Sequence, residues 1–240
     1  MKDKIRELKK YVADSHNIVF FGGAGVSTES GIPDFRSTDG LYNAKYAYPP
    51  EVILSYSFFM DETSEFYRFY RDKMIYAAAQ PNPAHVALAE LERQGKLKAV
   101  ITQNIDGLHQ AAGSKNVIEL HGSMRRNFCM TCKKTYTLEF ISRSEDIPLC
   151  TCGGIVKPDV VLYEEGLDDI NIMNAVQHIM DADMLIIGGT SLLVYPAAGL
   201  VDYYTGDKLV VINKGETHVD RRANLTINDS IGEALSGVLA

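Results

Sequence analysis

The chain has 240 residues, a formal net charge of −7, and 46% hydrophobic and 23% charged residues. This is the make-up of a globular protein, long enough for one large domain with a smaller insert, and it excludes a disordered or fibrous chain. Proteins built to grip nucleic acid are usually basic, so no nucleic-acid partner is expected.

The first predicted element is an amphipathic helix within residues 1–16, with Ile5, Leu8 and Val12 on one face. The segment lacks the apolar core of a signal peptide, so export is not expected and a cytoplasmic location is. Short β-branched or apolar runs then recur at 18–21, 99–102, 117–120, 184–187 and 209–212, separated by helical patterns. That alternation predicts an α/β fold with a mostly parallel sheet and helices on both faces. One helix is well marked: Asn82 can cap it, Pro83 suits its first turn, Leu88 and Leu91 form its apolar face, and Gly95 can end it. Residues 184–201 carry no charge and are long enough to raise a membrane span. Gly188, Gly189 and Pro196 break the run, so it reads as strand, turn and helix, with no membrane partner.

Two stretches interrupt the alternation. Residues 38–80 hold an aromatic helical pattern (Phe58, Phe59, Phe66, Tyr67, Phe69, Tyr70), and residues 123–154 hold all four cysteines. The expected organisation is a Rossmann-like domain of 1–37, 81–122 and 155–240, with a small inserted domain made of a helical module (38–80) and a zinc-binding module (123–154). Cysteines clustered in a chain without an export signal point to metal. Cys129-x-x-Cys132 and Cys150-x-Cys152 supply four thiolates, which suit tetrahedral zinc and leave no open coordination position, so the site is structural.

Behind the first strand comes Gly22-Gly23-Ala24-Gly25-Val26-Ser27. Glycines there let the backbone approach a phosphate beside a helix N-terminus. The third glycine of G-x-G-x-x-G is missing, and a tight strand-to-helix turn explains the segment equally well. Asn104 and Asp106 flank Ile105 and face one side if that segment is extended, although Asn, Asp and Gly also make ordinary turns. His121, after a strand and before Gly122, is a candidate base near neutral pH. His85 and His109 are read as structural hydrogen-bonding residues.

The run Gly23-Ala24-Gly25 through Ser30-Gly31-Ile32-Pro33-Asp34-Phe35-Arg36 resembles the signature of the sirtuin family. Thr102-Gln103-Asn104-Ile105-Asp106-Gly107-Leu108-His109, His121-Gly122, the cysteines, Lys157-Pro158-Asp159-Val160-Val161, Gly189-Thr190-Ser191-Leu192 and Val211-Ile212-Asn213 follow in the family's order. The resemblance spans nearly the whole chain. It implies an NAD-dependent protein lysine deacetylase with NAD as co-substrate, structural zinc, and acetylated proteins or peptides as partners. It implies that Ala24, Thr28, Phe35 and Arg36 line the diphosphate and ribose site. Gln103, Asn104, Ile105 and Asp106 then line the nicotinamide pocket, and Thr190, Ser191 and Asn213 hold the adenosine half with Asp229 and Ile231. His121, Asn104 and Asp106 carry the catalytic roles, and Val160, Val161 and Tyr163 contact substrate.

By the same resemblance, the acetyl oxygen attacks the nicotinamide ribose, nicotinamide leaves, and His121 takes a proton from a ribose hydroxyl. That hydroxyl attacks the carbon of the alkylimidate formed in the first step, and water completes release of lysine and O-acetyl-ADP-ribose. The family's Phe-Gly-Glu after the two valines is here Tyr163-Glu164-Glu165, which adds bulk and charge beside the expected peptide path. The Tyr and Arg three positions apart that succinyl-preferring sirtuins use are absent from Phe66–Lys73, where Tyr67 and Arg71 stand four apart; acetyl is therefore the expected acyl group. A protein ADP-ribosyltransferase on the same fold, or a non-catalytic NAD and zinc module, is the alternative.

Overall fold

The computed structural model describes residues 2–35, 40 and 47–239. The chain opens with α1 (Lys2–Ala13), whose Leu8 and Val12 are buried, and β1 (Ile18–Gly22). Three helices follow: α2 (Pro50–Ile53), α3 (Tyr56–Asp61) and α4 (Thr63–Lys73). Next come α5 (Pro83–Arg93), β2 (Leu97–Thr102), α6 (Leu108–Ala112), β3 (Val117–Glu119), β4 (Gly122–Cys129), β5 (Thr135–Tyr136), α7 (Leu138–Arg143) and β6 (Val156–Val160). The chain closes through α8 (Asp169–Asp181), β7 (Met184–Gly188), a 3-10 helix (Ala197–Tyr203), β8 (Leu209–Ile212), β9 (Leu225–Ile227) and α9 (Ile231–Leu239).

Six strands form one sheet in the order β3-β2-β1-β7-β8-β9, and all its pairings are parallel. Successive side chains alternate between its faces. Ile18, Phe20, Val100, Ile186 and Val210 join Leu8, Val12, Leu88, Leu91 and Leu235 of α1, α5 and α9 in one core. Val19, Phe21, Ile101, Leu185 and Ile187 join Ala175 and Ile179 of α8 and Ala198 and Val201 of the 3-10 helix in another. Coverage on both faces explains why these strands read as unbroken apolar runs.

Asn82 caps α5 as its sequence predicts: its side chain accepts from the Ala84 amide, and the Asn82 amide donates to His85 Nδ1. Gly95 ends the helix turn with φ +73°. The apolar run 184–201 divides into β7, a turn and the 3-10 helix. Among the described residues no helix is long and apolar enough to cross a membrane.

A second, three-stranded sheet has the order β5-β4-β6 and is antiparallel. It shares a core with the helices before α5: Ile53, Phe59, Phe66, Tyr67, Phe69 and Tyr70 pack with Met124, Cys129, Ile141 and Val156. The β4–β6 register is irregular between Ser123 and Asn127. That irregularity turns the Met124 amide to the Ile105 carbonyl (3.0 Å), tying the small sheet to the end of β2.

Candidate active site

In a parallel sheet all carboxyl ends lie on one edge, so residues distant in sequence meet there. Each strand of the six contributes. Ala24 and Thr28 follow β1, Gln103–Asp106 follow β2, His121 follows β3, Thr190 and Ser191 follow β7, Asn213 follows β8, and Asp229 and Ile231 follow β9. Arg36 falls outside the described residues, as do residues 37 and 38, where the expected boundary of the inserted domain lies.

The loops after β1 and β7 cross backbone to backbone. The Gly25 amide donates to the Gly189 carbonyl at 2.8 Å. A Cβ on Gly25 would meet Gly189 Cα at 2.8 Å, and one on Gly189, which has φ +58°, would meet the Val26 amide nitrogen at 2.3 Å. Only glycine allows this approach. Gln103 spans the same gap, with its amide on the Gly22 carbonyl (3.0 Å) and its side chain donating to Thr190 Oγ1 (3.0 Å).

Beside this crossing lies a buried polar cluster. Ser27 Oγ donates to Asp106 Oδ2 at 2.7 Å and accepts from Asn104 Nδ2 at 3.1 Å. Asp106 Oδ1 accepts from the Leu108 amide (2.8 Å), and Arg125 Nε donates to the Asp106 carbonyl (3.1 Å). Asn104 and Asp106 thus turn to one side, as alternation about Ile105 predicts, while half-buried Ile105 packs against the small-domain core. Ser27 is missing from the sequence-derived set. Its signal was its place in the glycine loop, but only the fold brings it to Asp106, 79 positions away.

His121 Nδ1 lies 2.9 Å from the Gln103 carbonyl oxygen. A carbonyl has no proton to give, so Nδ1 carries the hydrogen and Nε2 keeps its lone pair. Burial pushes the His121 pKa below its ordinary value, partly opposed by the bond to Gln103. The ring is therefore neutral at pH 7 and able to accept a proton.

The outer positions are more loosely held. Asn213 donates its amide side chain to the Gly215 carbonyl (2.8 Å). Asp229 is exposed and accepts from the Ser230 amide (2.8 Å), whereas Ile231 is buried at the start of α9. Phe35 packs against the small-domain core. Glu29, on the turn after Thr28, accepts from Ser230 Oγ and the Gly232 amide, holding this loop to the start of α9.

The peptide-side segment runs on from β6. The Val161 amide donates to the His121 carbonyl at 3.0 Å, so this segment is anchored to the histidine's own backbone. Tyr163 forms a parallel bridge with Ser55: its amide donates to the Leu54 carbonyl and its carbonyl accepts from the Tyr56 amide, both at 2.9 Å. Buried Lys157 pairs with Glu165 (2.9 Å) and also reaches the Val160 carbonyl (2.9 Å).

The four cysteine sulfurs lie within 4.8 Å of one another. Cys129 and Cys152, and Cys132 and Cys150, approach to 3.5 Å. Tetrahedral zinc with Zn–S bonds of about 2.3 Å needs sulfurs about 3.8 Å apart, so the cluster fits the ion with little adjustment. A Cβ on Gly154 would meet Cys129 Sγ at 2.8 Å, so glycine there keeps the cradle open.

One expectation needs correction. His109 makes no structural hydrogen bond: neither ring nitrogen has a partner among the described residues. It packs against His85 (ring centroids 4.7 Å apart) and Phe20 (6.1 Å). The charge expected from Glu164 has a fixed direction. Its carboxylate turns to Ser57 at the start of α3.

A doubly covered parallel sheet with a glycine crossing, a neutral histidine and a closed thiolate cluster defines a nucleotide-binding scaffold equipped for proton transfer and stiffened by metal. The Sir2 family model matches residues 23–196. A relative from Clostridium acetobutylicum named NAD-dependent protein deacetylase is 64% identical, covering 99% of this chain and 98% of its own. One of the same name from Clostridium tetani is 61% identical over the same shares. Among solved structures, a Sir2 protein with a p53 peptide and NAD+ has a TM-score of 0.87 at 41% identity, covering 98% of this chain and 97% of that one. A Sir2 variant holding deacetylated p53 peptide and 3'-O-acetyl-ADP-ribose has a TM-score of 0.90 at 41% identity, with the same coverage. The chain belongs to the Sir2 family.

Proposed function

We propose that this protein is an NAD-dependent protein lysine deacetylase that acts on acetylated proteins or peptides and moves the acetyl group to ADP-ribose with release of nicotinamide. The observation that carries this reading is His121, held neutral with Nδ1 on the Gln103 carbonyl, at the sheet edge that also presents the Ser27–Asn104–Asp106 cluster.

In this reading NAD is a substrate and supplies the group that accepts the acetyl. The glycine crossing, with Ala24, Thr28, Phe35 and Arg36, takes its diphosphate and adjacent ribose. Thr190, Ser191, Asn213, Asp229 and Ile231 take the adenosine half. Gln103, Asn104, Ile105 and Asp106 line the nicotinamide end, where Ser27 keeps both polar side chains in one orientation before substrate arrives. His121 Nε2 accepts a proton from a ribose hydroxyl. Val160, Val161 and Tyr163 contact the acetylated peptide. Cys129, Cys132, Cys150 and Cys152 hold zinc with no open position, so the ion takes no part in the chemistry. The shared core of α2–α4 with β4 and α7 supports treating 38–80 and 123–154 as one small domain against a Rossmann-like remainder, with β6, just past that boundary, packing on the small-domain side. Four cysteines clustered for a metal rather than joined in disulfides support a cytoplasmic location.

One assay separates the classes: NAD and an acetyl-lysine peptide, read by mass. Deacetylation yields nicotinamide and a peptide lighter by one acetyl group. A heavier protein product would mean ADP-ribosyl transfer, and no change in either would leave a binding module.

A further inference from the structure

Glu164 stands where backbone geometry disfavours any residue but glycine. Its φ is +76°, in the left-handed region, where a side chain adds strain unless the surroundings return something for it. Here they do. Glu164 Oε2 accepts from the Ser57 amide and Oε1 from Ser57 Oγ, both at 2.9 Å. Ser57 lies in the first turn of α3, where free amides and the helix dipole favour a carboxylate. The contact adds a side-chain clasp next to the backbone bridge of Tyr163 to Leu54 and Tyr56. Two connections therefore join residues 163–164 to the α2–α3 corner, while Val161 ties the same segment to His121. The segment is held at one end by the catalytic edge and at the other by the small domain.

We propose that Glu164 is a positioning residue: its clasp on Ser57 fixes residues 160–165 as a preformed wall of the peptide cleft and thereby sets peptide affinity. The proposal rests on the deacetylase reading above. Its carboxylate oxygens are directed to Ser57 within the fold. Without the clasp the segment must be ordered when peptide binds, which weakens binding and leaves the chemistry alone.

Glu164→Ala keeps the strained backbone and removes the clasp, Glu164→Gly removes both, and Ser57→Ala removes one of the two bonds. With an acetyl-lysine peptide and saturating NAD, KM for peptide should rise about three- to tenfold in both Glu164 variants. It should rise less in Ser57→Ala, with kcat and KM for NAD within about twofold of the parent. The double variant Glu164→Ala/Ser57→Ala should be no worse than Glu164→Ala alone, because one contact cannot be lost twice. Hydrogen exchange at the Tyr163 amide should quicken in the Glu164 variants, a readout that needs no turnover. An unchanged peptide KM with unchanged exchange overturns the proposal, and so does a common fall in kcat, NAD binding and thermal midpoint. A parent protein that does not turn over acetyl peptide defeats the deacetylase reading instead, and the exchange result then still decides whether the clasp exists.

Discussion

The sheet edge and the cysteine module solve the problem of holding a site in opposite ways. At the edge, order comes from bulk: two cores clamp the strands, and the loops that leave them are held by a glycine crossing, by Ser27 bonding Asn104 and Asp106, and by Gln103 bonding Thr190. Around the cysteines there is less bulk, although Cys129 and Cys150 are buried in the small-domain core. β5 has two residues, α7 has six, and Cys132 and Cys152 are exposed. Local turns, with Lys133 at φ +62° and Gly153 at φ +84°, bring the thiolates together. The edge is held mainly by burial, whereas the module adds a four-thiolate metal cradle to a smaller apolar core. Their shared boundary includes the Met124–Ile105 and Arg125–Asp106 bonds, through which the module can disturb the edge.

Metal removal tests that contrast most severely. Structural zinc contributes on the order of 10 kcal/mol or more in small zinc domains, so chelation should melt the module first. We expect a lower thermal midpoint, four titratable thiols and a parallel loss of turnover, while the far-UV signal of the six-stranded sheet survives at lower temperature. Cys129→Ala should behave alike. A protein verified as metal-free that melts and turns over like the parent would remove the distinction between the two regions.

At the edge, the largest effect is expected from His121→Ala. Losing a general base costs roughly two to four orders of magnitude in turnover, while NAD and peptide should still bind within several-fold. The pH profile should agree. His121 acts neutral, and burial lowers its pKa, so kcat/KM should stay flat down to the ordinary histidine range and fall only below it. Near-parent turnover in the variant would place the base elsewhere.

Acyl choice should follow, with a smaller effect. The Tyr67 hydroxyl donates to the Val156 carbonyl, and Arg71 donates to the carbonyls of Asp146 (2.9 Å) and Glu145 (3.4 Å) with its guanidinium 5.7 Å from the Tyr67 ring. Both groups that could meet an acyl carboxylate are engaged within the small domain. Acetyl-lysine should exceed succinyl-lysine by at least about tenfold in kcat/KM on one peptide, because a carboxylate buried without a partner costs several kcal/mol. Equal turnover would mean that a cation reaches the acyl channel.

The edge was far more legible in the sequence than its support. The strands around Phe20, Val100 and Ile186 are buried on both faces, so each reads as an apolar run ending at a glycine or threonine, and the polar residues just beyond are the candidate site. β9 is three residues between polar neighbours, too short for a periodic signal. β4 carries Arg125 and Arg126 between buried Met124 and Asn127 and breaks register, so no alternation marks it as a strand. Ser27 and Glu164 escaped for a common reason: each acts through a partner far along the chain, Asp106 or Ser57. Local pattern can show that a residue is unusual, as it did for Glu164, but not where its side chain goes.

His109 sharpens the same lesson, since its polar type gave no warning that its site is dry. Its ring is buried against His85 and Phe20, and burial together with the charge His85 would carry lowers its pKa to about 3. His85 is lowered too, mainly by burial, with the nearby Asp106 and Glu29 carboxylates opposing. Both rings are neutral in the folded protein at pH 7. As pH falls through about 6.5, the unfolded chain takes up protons on these histidines before the folded chain does. The stability they permit is therefore fully present above that pH and is lost as pH falls towards the folded values. The limiting slope is about 1.4 kcal/mol per pH unit for each histidine. Most carboxylates titrate lower, which leaves pH 6.5 to 5 as the useful window. Urea unfolding at saturating zinc across that window should show stability falling with acid. In His109→Gln, which has nothing to titrate, the slope should be shallower by up to about 1.4 kcal/mol per pH unit, whatever the variant's absolute stability. His121 is lowered as well but is common to both proteins, so it drops out of the difference. Parallel slopes would mean that His109 is reached by water or a hydrogen-bond acceptor in the folded state, and that the region beneath the edge is less dry than its packing indicates.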